Sequence, residues 1–318
     1  MNSIRDNGIK IFSGTANMPL AKKISETLNQ PLGKLTIGRF SEGECQVKIN
    51  EDVRGRDIFI IQPTCPPVND NVVELLILID AFRRASARRI TVVIPYYGYA
   101  RQDRKDQPRV PITAKLMANI ITVAGADRIL TMDLHAQQIQ GFFDIPVDHL
   151  YAYPIIANYF KEKKLKNLTV VSPDVGGIKM ARAYAKGLGA DLAIVDKRRN
   201  GPQEVEAMNL IGEVQGRTVI IPDDIIATGA SLEEAVHALI KFGAQDIYAS
   251  CTHAILSGEA INRIQESPLK EVVVTDTIPL PIEKQIGKIT VLSTAPLLGE
   301  AILRIHNEQS ISSLFDDN

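Results

Sequence analysis

The sequence predicts an α/β protein of two domains, each a mainly parallel sheet flanked by helices. Three observations carry this expectation. Strand-like and helix-like segments alternate along the chain, the pattern of parallel sheets covered by helices. A length of 318 residues suits about two ordinary domains. An internal repeat supplies the third: AGADRILTMDLHA at 124–136 parallels FGAQDIYASCTHA at 242–254. Each copy reads as a helix ending at Gly-Ala, a strand, and a histidine where the strand runs out. One architecture is used twice.

In chain order, residues 57–62 read as a strand, 71–87 as a helix and 89–95 as a strand. Residues 113–124 are helical and 128–132 form a strand. The alternation resumes after Pro154 with a helix at 155–163, a strand at 168–171, a helix at 178–188 and a strand at 192–195. The short apolar run 219–221 reads as a buried strand. It ends in the paired carboxylates Asp223 and Asp224, followed by small and hydroxyl residues at 227–231. A helix at 232–242 opens with Glu233 and Glu234 and closes near Gly243. No stretch is low in complexity or resembles a linker.

Composition narrows the function classes. Hydrophobic content of 45% and charged content of 23% are those of an ordinary globular protein. A net charge of −1 leaves no electrostatic footprint for nucleic acid or an anionic membrane. Anion binding must therefore come from local clusters. Cys45, Cys65 and Cys251 lack metal-ligand spacing and cannot all pair within one chain, so a reduced cytoplasmic protein is the simplest account. The N-terminus lacks the apolar core of a signal peptide. The longest apolar run, 75–79, is far too short to span a bilayer.

Four segments concentrate chemistry. In 219–231, small residues let backbone N–H groups approach a phosphate and the following helix adds a favourable dipole. The acid pair suits sugar hydroxyls or magnesium. Phosphate at one end and polyol at the other is what a ribose 5-phosphate needs, although an acidic turn capping a helix would also explain Asp-Asp. Residues 96–109 hold Arg101, Arg104, Lys105 and Arg109 after a strand, where open α/β sheets bind ligands. A solvated basic loop is the alternative. His135 and Asp174 each follow a strand end, the first more plainly as a structural histidine. Lys197, Arg198 and Arg199 enter an aperiodic segment, 200–206. This reads either as a surface charge run or as a flap that closes cations over a reacting phosphate.

Taken together, YYGYARQDRK at 96–105, DLH at 133–135, SPDVGG at 172–177, DKRR at 196–199, RFSEGE at 39–44 and NEQSIS at 307–312 resemble the ribose-phosphate pyrophosphokinases (PRPP synthetases). With the loop at 219–231, the resemblance runs from Lys10 to Phe315. It implies two phosphoribosyltransferase-like domains: 1–150 with a C-terminal helix at about 305–318 rejoining it, and 151–304. It implies transfer of the diphosphoryl group of ATP to ribose 5-phosphate, with Mg²⁺ as cofactor. Arg101, Gln102 and Asp103 are implied at ATP, together with Phe40 as an adenine-stacking ring and Glu42, both reaching a neighbouring subunit's site. The family usually has Asp at position 42. His135 and Asp174 are implied as metal ligands and Lys197 and Arg199 as catalytic cations. Asp223, Asp224, Thr228, Gly229, Ala230 and Ser231 are implied at ribose 5-phosphate. The tail at 310–315 is similar to that of the phosphate-activated class I enzymes, which implies a homohexamer with ADP and inorganic phosphate as effectors.

Two departures stand inside the signature loop. The family usually reads Asp-Asp-Ile-Ile-Asp-Thr, and this chain has Ala227 at the third Asp; Pro222 replaces an apolar residue before the acid pair. Two other functions stay open on these residues: a phosphoribosyltransferase that consumes PRPP, and a regulatory paralogue of reduced activity.

Overall fold

Residues 57–61 are apolar after the opening Asp57 and buried throughout, as a strand must be when helices cover both faces of its sheet. The computed structural model describes residues 8–198 and 207–315. Its first half runs β1 (Ile9–Ser13), α1 (Met18–Leu28), β2 (Leu35–Arg39), β3 (Cys45–Ile49), β4 (Asp57–Ile61), α2 (Val68–Arg84), β5 (Arg89–Ile94), α3 (Thr113–Ala124), β6 (Arg128–Met132) and β7 (Val147–Leu150). The second continues α4 (Tyr153–Glu162), β8 (Leu168–Ser172), α5 (Ile178–Leu188), β9 (Asp191–Arg198), β10 (Ala207–Ile211), β11 (Thr218–Ile226), α6 (Ala230–Lys241), β12 (Asp246–Ala254), α7 (Ala260–Glu266), β13 (Glu271–Thr275), β14 (Ile289–Leu292) and α8 (Ala295–His306).

Two compact units result, one of residues 1–151, 277–279 and 293–318, the other of 152–276 and 280–292. The first holds a five-stranded parallel sheet in the order β1-β4-β5-β6-β7 and a separate β2-β3 hairpin. The second holds seven strands in the order β10-β9-β8-β11-β12-β13-β14. All its pairings are parallel except β10 with β9. Each sheet has its own apolar core, built around Phe12, Phe82 and Ile60 in one and Val219, Leu239 and Val274 in the other. The fold is therefore α/β with two mainly parallel sheets flanked by helices. Among the described residues no helix is long and apolar enough to cross a membrane. The three cysteines are free thiols.

The predicted elements form, with shifted bounds. Helix α2 starts at Val68, three residues before the expected 71, and α6 starts at Ala230 rather than 232. Strand β9 extends to Arg198 because β10 continues its ladder, pairing Met208 with Lys197 and Ala207 with Arg198. The repeat places β6 and β12 at matching positions, 128 and 246. His253, buried, is the penultimate residue of β12, where the strand runs out.

The chain touches the first unit at 277–279 and returns to it for the rest of its length from Ser293, whereas the sequence suggested a helix rejoining at about 305. Helix α8 packs on α1, where Gly299 permits close approach: a Cβ there would come within 3.0 Å of Thr27. Its C-terminal end is fastened by charge. Asp57, fully buried, accepts two bonds from Arg89, at 2.8 Å from Nε and 2.5 Å from Nη2, and lies 2.7 Å from His306 Nδ1. Arg89 Nη2 also donates to the Ile305 carbonyl at 3.1 Å. Removing one member of a buried ion pair strands the others without compensation, at about 3–5 kcal/mol. Asp57→Ala is therefore expected to lower the midpoint of thermal unfolding by about 10 °C. A calorimetric scan checks it; an unchanged midpoint would show that the cluster does not hold α8 in place.

Candidate active site

In the second unit, the chain leaves β8 toward β9 and leaves β11 toward β12, so β8 and β11 are neighbours from which the connections diverge. The C-terminal ends of such strands frame the crevice in which open α/β sheets bind ligands. Asp174 follows β8. Its Oδ1 accepts the Gly177 N–H at 2.8 Å, and its carbonyl accepts the Ser172 hydroxyl at 2.6 Å, which fixes an exposed carboxylate at the head of α5.

The acid pair lies within a strand, where the sequence suggested the strand had ended. β11 continues to Ile226, with Asp223 opposite Cys251 and Ile225 opposite His253 in β12. Proline removes a ladder donor, and is tolerated where one side of a strand has no partner. Pairing of β11 with β8 stops at Ile220, so Pro222, although buried, stands where that side of the strand has no ladder partner needing its N–H. Burial pushes the Asp223 carboxyl well above the usual carboxylate range, reinforced by its hydrogen bond and charge interaction with Asp224 and by the charge of Asp174. Burial likewise raises the Cys251 thiol beneath it.

The segment after β11 turns through Gly229 at φ +75° and enters α6 at Ala230. A Cβ at Gly229 would strain this left-handed backbone and sit 3.5 Å from Ala260. Ala230 and Ser231 therefore belong to the first helical turn, whose N–H groups lack intrahelical acceptors. With the exposed hydroxyls of Thr228 and Ser231, this helix start suits an anion.

In the first unit, the 96–109 segment follows β5. Gly98 is pressed against residue 64: its N–H donates to Thr64 Oγ1 at 2.6 Å, and a Cβ would meet the Thr64 carbonyl at 2.5 Å. Tyr99 and Arg109 both have positive φ, +63° and +65°, unusual for side chains of this size. A cavity of about 360 Å³ opens here, lined by Arg101, Gln102, Asp103, Arg104 and His135 among others. Gln102 Oε1 accepts the Thr113 hydroxyl at 2.5 Å, and Asp103 Oδ2 accepts the Gln138 amide at 2.8 Å. The two arginines stand exposed on the wall. Cations beside fixed polar groups suit a polyphosphate.

His135 follows β6 through Asp133, another residue with positive φ, +38°. The segment is tied by the Asp133 N–H to the Leu150 carbonyl at 2.9 Å and by the Leu134 N–H to His149 Nε2 at 2.9 Å. His149 escaped the sequence reading. Its signal was a second histidine near the end of the adjoining strand. The ring packs at a tilt against Tyr151, which meets Phe315 edge-on.

Phe40 and Glu42 occupy the turn of the β2-β3 hairpin, exposed, and do not line this cavity. Hydrogen bonds from its own backbone and from Ser41 hold Glu42 below its ordinary carboxyl range. Lys197 lies in β9, while Arg199 falls outside the described residues. His135 belongs to the first unit and Asp174 to the second. Among the described residues no three or more His, Cys, Asp or Glu side chains gather into a metal site. A lone carboxylate such as that of Asp174 suits an ion that takes most of its ligands from phosphate oxygens and water, as Mg²⁺ does.

The raised Asp223 carboxyl has a consequence for stability. With a folded pKa above the unfolded one, the folded chain binds the extra proton, so its contribution is fully present below the ordinary carboxylate pKa of about 4 and is lost as pH rises through the folded value. Without ligand or metal, stability is expected to fall as pH rises across that window, and Asp223→Asn should flatten the dependence. Urea unfolding at several pH values decides; identical slopes in both proteins would count against a protonated Asp223.

Similarity to known proteins follows the same outline. Residues 9–125 match the family described as the N-terminal domain of ribose phosphate pyrophosphokinase, and residues 198–316 the phosphoribosyl synthetase-associated domain. The chain is 54% identical over 315 residues to the ribose-phosphate pyrophosphokinase of Oceanobacillus iheyensis, covering 99% of each. It is 59% identical over 309 residues to that of Bordetella parapertussis, covering 96% of this chain and 100% of the relative. The crystal structure of phosphoribosylpyrophosphate synthetase from Mycobacterium smegmatis superposes with a TM-score of 0.90 at 40% identity, covering 94% of this chain and 99% of the other. Likeness of this extent, over both sheets and the segments that end their strands, means that the chain belongs to the ribose-phosphate pyrophosphokinase family.

Proposed function

We propose that this chain transfers the diphosphoryl group of ATP to the 1-hydroxyl of ribose 5-phosphate, giving 5-phosphoribosyl 1-diphosphate and AMP for nucleotide biosynthesis. The observation that carries the reading is identity of 54–59% over nearly the whole length of characteristically named relatives. The sugar oxygen attacks the β-phosphorus, a new O–P bond forms there, and the bond to the α-phosphate oxygen breaks to release AMP. Such chemistry asks for positioning and charge neutralisation more than covalent participation.

The residues divide this work. Arg101, with Gln102 and Asp103 held in place by Thr113 and Gln138, receives ATP. Phe40 and Glu42, exposed on their hairpin turn, fit a role at a neighbouring copy's nucleotide. Asp223 and Asp224 take the sugar hydroxyls, and the Thr228–Ser231 segment takes the 5-phosphate on its backbone N–H groups. Mg²⁺, when bound by Asp174 and His135, supplies neutralisation of the phosphate charge. Lys197 and Arg199 offset the charge that develops on the transferred group. Ala227 removes one carboxylate but leaves this backbone function, since its carbonyl still accepts the Ser257 N–H at 2.9 Å. The resemblance of the 310–315 tail to the phosphate-activated class supports a hexamer regulated by inorganic phosphate and ADP.

Incubation of the purified chain with ATP, ribose 5-phosphate and Mg²⁺ tests the reading directly: AMP and PRPP should appear in equal amounts. Lack of AMP would sink it. Lys197→Ala and Arg199→Ala are each expected to lower kcat far more than they weaken ATP binding, as groups engaged mainly in the transition state do. A raised KM at constant kcat would assign them to ground-state binding instead. His135→Ala should raise the Mg²⁺ concentration needed for half-maximal rate, and an unchanged requirement would remove His135 from the metal site.

A further inference from the structure

Arg263, on α7, is not among the residues assigned above to substrate, yet it grips the backbone of the segment proposed to bind phosphate. Its Nη1 donates to the Thr228 carbonyl at 2.7 Å, and its Nε lies 3.1 Å from Glu233 in the first turn of α6. One residue earlier, the Ala227 carbonyl accepts the Ser257 N–H at 2.9 Å. Before that, the Ile226 carbonyl accepts the N–H groups of Ile255 and Leu256, both at 3.1 Å.

Three successive carbonyls are thus bonded to residues of 255–263. A peptide unit is planar and trans, so its C=O and N–H point in opposite directions. Drawing the Ala227 and Thr228 oxygens toward 257 and 263 turns the N–H groups of Thr228 and Gly229 to the other side. Gly229 then delivers the chain into α6, whose first N–H groups lack intrahelical partners. Successive N–H groups facing one way form an anion-receiving concavity.

We propose that Arg263 is a positioning residue that sets the peptide orientation of the 5-phosphate cradle; this deepens the functional reading above and rests on it. Its planar guanidinium holds the Thr228 carbonyl and Glu233 together, which a lysine ammonium on its single stem does less well. Glu233 matches its charge, so Arg263 serves as a donor to the backbone rather than as a competing phosphate ligand. The device has added weight in this chain. Ala227 has no side-chain acceptor with which to order the turn, and the order must come from the carbonyls.

The test uses the full chain with Arg263→Met, which keeps the aliphatic stem, and Arg263→Lys. Isothermal calorimetry with ribose 5-phosphate and steady-state kinetics in both substrates are the readouts, with circular dichroism to verify folding. R263M is expected to weaken ribose 5-phosphate binding and raise its KM about tenfold, the scale of one charge-assisted hydrogen bond. Its KM for ATP should stay within about twofold, and kcat at saturation within about threefold. R263K should recover part of the loss, leaving affinity about threefold below wild type. Ribose 5-phosphate affinity equal to wild type in R263M overturns the proposal, as does equal weakening toward ATP and ribose 5-phosphate. Should R263M not fold, wild-type affinity in R263K overturns it alone. Turnover judges the functional reading separately. A wild-type chain that makes no PRPP but loses ribose 5-phosphate affinity on R263M would sink that reading and leave the role of Arg263 standing.

Discussion

The second unit's site depends on one strand outrunning one of its neighbours. β11 is paired with β12 as far as Ile226 but with β8 only as far as Ile220. Past that point the strand has a ladder on one side and unpaired backbone on the other. The unpaired edge tolerates Pro222 and leaves Asp223 and Asp224 on a strand instead of a loop. Asp223 has Asp224 next to it on the same strand, so first its burial and then the neighbouring carboxyl raise its pKa.

The first unit solves a similar problem by other means. Its ligand-facing segments are held by strained backbone: Tyr99, Arg109 and Asp133 all sit at positive φ. Tyr99 and Asp133 have their surroundings fastened by long-range bonds, Gly98 to Thr64 and Leu134 to His149. Strain of this kind persists only where neighbours over-determine it. The ring cluster of His149, Tyr151 and Phe315 extends that support to residue 315.

Sequence alone made the alternation of elements legible, because parallel strands buried on both faces are short unbroken apolar runs. The acid pair and the small-residue turn after it were equally readable, since their chemistry is local. The course of the chain through Pro222 was not: whether a proline ends a strand depends on which side of it has a partner, and that is a property of the sheet. The same holds for β9, whose extension needs β10. His149 and Arg263 act through bonds to backbone atoms 15 and 35 residues away, so no spacing in the chain announces them. The basic segment at 197–199 was legible as charge, while its arrangement lies largely beyond the described residues.

The fastening of α8 to α1 and to Asp57 also orders events on the ribosome. Residues 152–292 supply nearly everything the second unit contains, whereas the first unit lacks α8 until the last part of the chain has been made. The half synthesised first is thus the half completed last. Until then the apolar face of α1 that α8 covers is open to solvent. Domains generally fold as units, and here the first unit stays incomplete until α8, made after the whole of the second, has joined α1.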